Sequence, residues 1–453
     1  YDKFDDEDFY GRGFMWYINA SDDMITGRSN GKAESIRTFS STSISASYIQ
    51  TQWSLRYAVI KRANDVMTYV PSIDMDATLK NRILGEANFL SGLMYFQLSY
   101  NYGDDKAGVP LVTPANYTNS SPKAREANVT LNYNYVISQL KTAAHLLPYF
   151  SGLAAADYGR PHKAAAWSYL SKTYLYMKDY ANAELYADSV INFGNRSLEP
   201  NFADVFISSH NWGSEYIWSA YSTPSGTSGW GSILPGVMLE NKGWGFYNGW
   251  GYYTPTRELF DAYSATDKRR AATILAPGDT FTFFGATRTY ASDNSLSGYQ
   301  FNKYMEPFKY ADPIGTYLSP NGEHPTTTLN PPLIRYAEIL LIKAEAELML
   351  GKNADNEINK IRERAGLADV SGATMTELKL QRRLEFAGEY ADRHRDLVRW
   401  GDAQAAYALP LHGASGAVIS DGRTFNPAIH DVWPVPQQEI DNSGGVIAQA
   451  SGW

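Results

Sequence analysis

Five of the eleven tryptophans, Trp212, Trp218, Trp230, Trp244 and Trp250, fall between positions 212 and 253, with Phe246, Tyr247, Tyr252 and Tyr253 close by. Only Glu215, Glu240 and Lys242 carry charge in that stretch, and glycines punctuate it, among them Gly229, Gly231, Gly243, Gly245, Gly249 and Gly251. Flat, uncharged rings with a polar handle match one kind of ligand well. A sugar ring has an apolar C–H face and a hydroxyl rim, and an indole or phenol can cover the first while reaching the second. Loops on a rigid scaffold carry function disproportionately. Trp230, Trp244, Tyr247 and Trp250 are therefore the candidate ligand platform. Tyr48, on a Ser/Thr-rich stretch before a helix, is a fifth candidate. Trp212 and Trp218 flank the strand-like stretch 215–221 and read as core. The competing reading for every one of these rings is that it packs a loop layer onto helices, since large aromatics usually serve cores.

Other chemistries find less support. Asp22-Asp23 and Asp104-Asp105 are adjacent carboxylates. Glycoside hydrolysis needs two carboxyls about 5–10 Å apart across a bound sugar, and solvated loop acids are the default for such pairs. The seven histidines are scattered, with no H-E-x-x-H and no i, i+4 pair, so they spell no metal site. No nucleophile elbow, P-loop or dinucleotide-binding glycine motif occurs. With no cysteine, disulfides, thiolate zinc sites and cysteine nucleophiles are excluded. A net charge of −8 gives no electrostatic footprint for nucleic acid. No cofactor is implied. The chain starts at Tyr1 without Met or signal peptide and reads as a processed form.

The elements that must position the rings are mostly helical. Residues 52–70 place Trp53, Tyr57, Ile60, Ala63 and Met67 at steps of three and four, ending at Pro71. A second helix spans 80–102 and stops at Gly103. A third, capped by Thr130 or Asn132, carries Val136, Leu140, Ala143 and Leu147. The pair 161–178 and 180–193 offers Trp167, Leu170, Ser171, Tyr174 and Ala183, a match to the tetratricopeptide signature with Ser in place of Gly. Another pair lies at 333–350 and 354–365. The charged stretch 377–402 can pair opposite signs on a helix face, a structural role. The expected fold is thus mostly α, an interrupted TPR-like helical-repeat scaffold with few short strands. It is read as a single domain over 1–453, with helix pairs within 50–200 and 333–400 and a loop-rich, aromatic, ligand-binding insertion at about 201–332.

The order of segments resembles the SusD/RagB family of Bacteroidetes outer-membrane lipoproteins. The sharpest motifs are Leu333-Ile334-Arg335-Tyr336-Ala337-Glu338, Asn359-Lys360-Ile361-Arg362-Glu363-Arg364-Ala365-Gly366, Arg382-Arg383-Leu384-Glu385-Phe386, Asp396-Leu397-Val398-Arg399-Trp400-Gly401 and Trp433-Pro434-Val435-Pro436. Earlier, Gly85-Glu86-Ala87 through Tyr102-Gly103, Gly108-Val109-Pro110-Leu111 and Gly159-Arg160-Pro161 agree. Two departures stand out: Gln381 replaces the Glu usual before the double Arg, and Tyr390-Ala391-Asp392-Arg393 replaces the common Gly-His-Arg. The resemblance implies a non-catalytic, surface-exposed protein of the cell outer membrane. Such a protein binds an oligosaccharide or polysaccharide and sits as a lid on a SusC-like TonB-dependent transporter. It also implies a lipid anchor on a cysteine near the N-terminus that this chain does not include. Two other readings stay open: a glycan hydrolase using loop carboxylates, and a TPR-like adaptor that binds peptide or protein.

Overall fold

The computed structural model describes the chain apart from residues 7, 12, 14–19, 29, 43, 45–46, 222–237, 240–242, 246–248, 315 and 319–324. As expected, it is mostly helical. Helix α1 spans Gly31–Arg37, α2 Ser47–Tyr69, α3 Ala77–Tyr102, α4 Val129–Leu146, α5 Lys163–Tyr176 and α6 Tyr180–Phe193. After the middle segment come α7 Arg257–Ala262, α8 Arg269–Thr273, α9 Tyr336–Met349, α10 Asp355–Arg364, α11 Met375–Phe386 and α12 Arg393–Trp400. No helix among the described residues is long and apolar enough to cross a membrane.

Helix α2 buries Ile49, Trp53, Arg56, Ile60 and Ala63 along one stripe, so it starts earlier than the periodicity from Trp53 predicts and takes in Tyr48. Asp76 caps α3 by accepting from the Leu79 amide at 2.8 Å. Gly103 does end α3, but not through a left-handed turn: its φ is −113°. A Cβ there would come within 2.8 Å of Val129, so the glycine answers to close packing. The cap of α4 is Asn128, not Thr130 or Asn132. Asn132 is fully buried and its amide group instead holds the backbone N–H and C=O of Val109, each at 2.9 Å. In the α5–α6 pair the small signature position is used directly: the Ser171 hydroxyl donates to the Ala183 carbonyl at 2.7 Å.

The two helix pairs, far apart in sequence, meet in space. Helix α6 packs along α9, so α2 to α6 continue into α9, α10 and α11 as one succession of packed helices. The strands are short and pair antiparallel in twos. Strand β1 (Met24–Thr26) pairs with β3 (Tyr253–Pro255). Strand β2 (Tyr216–Ser219) pairs with β10 (Pro332–Arg335) where the middle segment leaves and returns. Between these two lie β4 (Ile274–Leu275) with β7 (Gln300–Phe301), the hairpin of β5 (Thr280–Phe283) with β6 (Ala286–Thr289), and β8 (Thr316–Leu318) with β9 (Pro325–Thr327).

Buried ion pairs hold this arrangement. The Arg335 guanidinium donates to Glu215, to Glu385 at 2.7 Å and to both oxygens of Glu389 at 2.7 and 2.8 Å. Arg364 joins Glu215 to Glu385. Arg269 pairs with Asp267 and Glu385, and Lys303 with Glu389. The formal charges of Arg269, Lys303, Arg335 and Arg364 cancel those of Glu215, Asp267, Glu385 and Glu389. Gln381, the family departure, accepts from Arg269 at 2.8 Å without adding a further negative charge. Burial alone would push the Glu385 carboxyl up. The guanidiniums of Arg364, Arg335 and Arg269 hold it well below the usual carboxylate range instead.

A second set runs Lys172–Glu338–Arg382–Asp396–Arg399–Glu345 and joins α5 to α9, α11 and α12. The charged stretch 377–402 is therefore structural: Asp396 and Arg399 pair along α12, and most of its other pairs cross between elements in the interior.

Removing one partner from such a set leaves uncompensated buried charge, which costs roughly 3–5 kcal/mol. Arg335→Met is expected to lose about that much in denaturant unfolding. Arg257→Ala, which breaks the exposed Arg257–Asp261 pair, should leave the unfolding midpoint nearly unchanged. A near-neutral Arg335→Met would remove the ion set from its role as the keystone.

Candidate functional site

The rings singled out from the sequence do not form a water-facing platform among the described residues. Tyr48 is buried and its ring meets Trp433, which in turn meets Tyr102, all within the main core. Trp244 packs on Phe281, Phe283 and Tyr290 of the hairpin region, and Trp250 on Tyr252; each indole is only 8 % exposed. Trp230 and Tyr247 lie outside the described residues.

The glycines explain the difference. A Cβ on Gly245 would run into the Phe284 ring and one on Gly249 into the Leu239 carbonyl, each at 2.0 Å. These glycines admit close approach of the protein to itself and fold the neighbouring indoles inward. The reading of Trp218 as core holds: it is 1 % exposed.

Partly exposed rings gather elsewhere, at the edge between the helix pairs and the start of the middle segment. Phe150 and Tyr158 lie near-parallel with centroids 5.1 Å apart. Tyr158 stands 6.3 Å from Trp212 at 48°, and Trp212 lies near-parallel (17°) to Tyr221 at 6.2 Å. Phe150, Tyr158 and Trp212 are half-buried, and Tyr221 is 62 % exposed. Tyr221, at the outer end of the row, therefore leaves most of its ring open to water. Gly159 lies beneath the Trp212–Tyr221 pair, where a Cβ would stand 3.2 Å from Tyr221 and 3.5 Å from Trp212. The core residue Trp218 fixes that glycine by donating its indole N–H to the Gly159 carbonyl at 3.1 Å.

Trp212 is held in an uncommon backbone state. The Gly213 amide donates to the His210 carbonyl at 2.8 Å, closing a four-residue turn. Asn211 has φ −49° and ψ 130°, and Trp212 has φ +64°. This is a type II turn with tryptophan at the position that normally requires glycine. A bulky side chain there costs roughly 1–2 kcal/mol of backbone strain. Strain of this kind collects at functional sites, where the surroundings over-determine it. The flanking Asn211 is pinned as well: its side chain donates to the Thr328 carbonyl at 2.7 Å and accepts from the Asn330 amide at 2.9 Å. The place of Trp212 beside a strand predicts a core ring, which the structure corrects; the Asn-Trp-Gly order is the local signal of the turn.

One charged group lies against these rings, and the histidine behind them is held neutral. Arg196 stacks on Phe150, its guanidinium carbon 3.9 Å from the ring centroid. Burial lowers its pKa to about 10, so it stays charged at neutral pH. His162, behind Phe150, places Nε2 2.6 Å from the Ile217 carbonyl and is pushed down to about 3, first by burial and then by Arg196.

The carboxylates of Asp22, Asp23 and Asp104 are otherwise engaged, and Asp105 is exposed. Asp22 pairs with Arg393, and Asp23 with Arg383 at 2.6 Å. Asp104 accepts from the amides of Lys106 and Ala107. Among the described residues no group of three or more His, Asp or Glu could hold a metal ion.

Comparison with known proteins follows the same lines. A model described as "SusD family" matches residues 214–453, and one described as "Starch-binding associating with outer membrane" matches residues 12–175. SusD-like protein P2 of Formosa agariphila is 28 % identical over 403 residues, covering 80 % of this chain and 77 % of that protein. A SusD-like protein of Bacteroides fragilis superposes with a TM-score of 0.84 at 22 % identity, covering 100 % of this chain and 95 % of that one. Surface glycan-binding protein A of Bacteroides thetaiotaomicron, solved in complex with laminarihexaose, superposes with a TM-score of 0.75 at 21 % identity, covering 96 % and 93 % of the two chains.

Two outcomes are expected from this geometry. Trp244→Ala should cost about 3–5 kcal/mol in denaturant unfolding, as a core indole does. Trp212→Gly should cost much less, because relief of about 1–2 kcal/mol of strain offsets lost ring contacts; equal losses would deny the strained turn.

His162 gives a pH signature. Its folded pKa is depressed, so it contributes stability that is complete above its unfolded value and lost as pH falls towards about 3. Between pH 6 and 4 the unfolding of the parent protein should take up close to one proton more than that of His162→Gln. Equal proton uptake would mean that the ring is not held neutral.

Proposed function

The chain belongs to the SusD family, and on that premise we propose that it is a non-catalytic receptor for an oligosaccharide or polysaccharide at the bacterial cell surface. The observation that carries the reading is Trp212, held at the glycine position of a type II turn beside the exposed Tyr221 ring. A chain that keeps a bulky indole in a strained turn, half open to water, is keeping it for contact. Tyr158, Trp212 and Tyr221 form the platform, and sugar C–H faces stack on it. Trp230 and Tyr247 are proposed as further contributors. A structural relative solved with laminarihexaose and a family description that speaks of starch binding both favour carbohydrate over peptide as cargo. In this reading the protein is tethered to the outer membrane through a lipid anchor upstream of Tyr1. It closes as a lid over a SusC-like TonB-dependent transporter and hands its cargo to it. The hydrolase alternative loses ground because Asp22 and Asp23 are spent on Arg383 and Arg393.

Electrophoresis through gels containing a panel of neutral polysaccharides tests the reading. At least one gel should retard the protein without new reducing ends appearing. Steady product release would make it an enzyme, and preference for peptides in calorimetry would make it an adaptor. Tyr221→Ala should weaken binding to the retarding polysaccharide by on the order of 1–3 kcal/mol, by analogy with bases stacked on aromatic rings. Its melting temperature should stay close to that of the parent. An unchanged affinity would move the platform away from this edge.

A further inference from the structure

Resting on the platform reading above, we infer that Arg196 is a positioning residue for ligand binding: it locks the turn that presents Trp212 without itself meeting the ligand. Three of its five N–H donors are spent on backbone. Nε donates to the Asn195 carbonyl at 2.8 Å, and Nη1 donates to the carbonyls of Gly213 and Tyr216, both at 3.1 Å. The Gly213 carbonyl belongs to the residue directly after Trp212, and Tyr216 opens strand β2. One planar fork thus ties the strained turn to the strand that follows it. Its flat face is spent on Phe150.

Further bonds close the loop around the same turn. Ser197 N–H donates to the Ser214 carbonyl at 3.1 Å. The Glu199 carboxylate accepts from the Ser214 amide at 3.0 Å and hydroxyl at 3.1 Å. Asn195, the anchor on the other side, has φ +52°, so the clasp holds two non-glycine residues in the left-handed region at once. A strained conformation persists only when its surroundings over-determine it, and Arg196 supplies the bond on the Gly213 side of Trp212 that complements those of Asn211 on the other. A ring already locked in its binding pose loses less freedom when a ligand arrives, which is how a residue without ligand contact raises affinity. Lysine cannot replace it, because a point-charge ammonium lacks the planar fork that serves carbonyls on two sides.

The test labels the protein with 5-fluorotryptophan and follows the fluorine resonance of Trp212, assigned by its loss in Trp212→Phe. The parent should give one sharp line. Arg196→Lys, and Arg196→Ala if it folds, should shift or broaden that line while the line of Trp218 stays in place. In gels of whichever polysaccharide retards the parent, Arg196→Lys should weaken binding by about three- to tenfold, the effect of unlocking one large side chain. In a Trp212→Ala background the same change should add nothing. An unmoved Trp212 line in Arg196→Lys overturns the inference. So does a loss of affinity that adds in full to that of Trp212→Ala, which would make Arg196 a direct ligand contact. If no polysaccharide retards the parent, the glycan reading fails, while the fluorine spectra still decide the role of Arg196.

Discussion

A guanidinium taken out of water must bring its anions with it, and Arg335 brings Glu215 from one part of the chain and Glu385 and Glu389 from another. Burial on this scale is tolerable only if charge cancels and most of the hydrogen-bonding atoms are satisfied. That condition fixes the position of strand β10 against β2, the C-terminal end of α10, the end of α11 and the loop carrying Lys303. The middle segment leaves the helical array beside Glu215 and returns at Arg335, so the same ion set closes its base.

The platform inherits its geometry from there. Glu215 directly precedes β2, and β2 carries Trp218, whose indole N–H holds the Gly159 carbonyl. Gly159 in turn lies beneath Trp212 and Tyr221. Just before Tyr216 opens the strand, the chain makes the type II turn with Trp212 at its strained position. A rigid, charge-balanced interior thus ends in two rings at the surface within a few residues. Flat rings offered by a stiff frame suit a sugar chain, because little freedom remains to be lost on contact.

How much of this could be read from residues alone depends on how local the cause is. Periodicity located α2 to α6, α9 and α10 within a few residues, because burying one stripe of a helix is a property of nearby side chains. The Ser171 substitution in the tetratricopeptide signature was legible too, since a small residue there meets the next helix of the same pair. The caps were less so: Asn128 takes the role expected of Thr130 or Asn132 because Asn132 is needed by Val109, which lies 23 positions away. For the site, the aromatic and glycine-rich composition pointed to the middle segment. Yet the choice of rings within it depended on whether each glycine faces solvent or another part of the protein. Gly245 and Gly249 face Phe284 and Leu239, so Trp244 and Trp250 turn inward.

By itself, the order of residues determined the helical class, the family motifs and the absence of thiol chemistry, since each follows from residue type and spacing along the chain. Only the tertiary structure decided that Asp22 and Asp23 serve arginines from the far end of the sequence, that Tyr48 belongs to the core, and that Trp212 stands at an exposed edge. The physical reason is that exposure and charge pairing are set by whatever arrives from elsewhere in the chain. A tryptophan beside a strand carries no local mark of which side the rest of the molecule will cover.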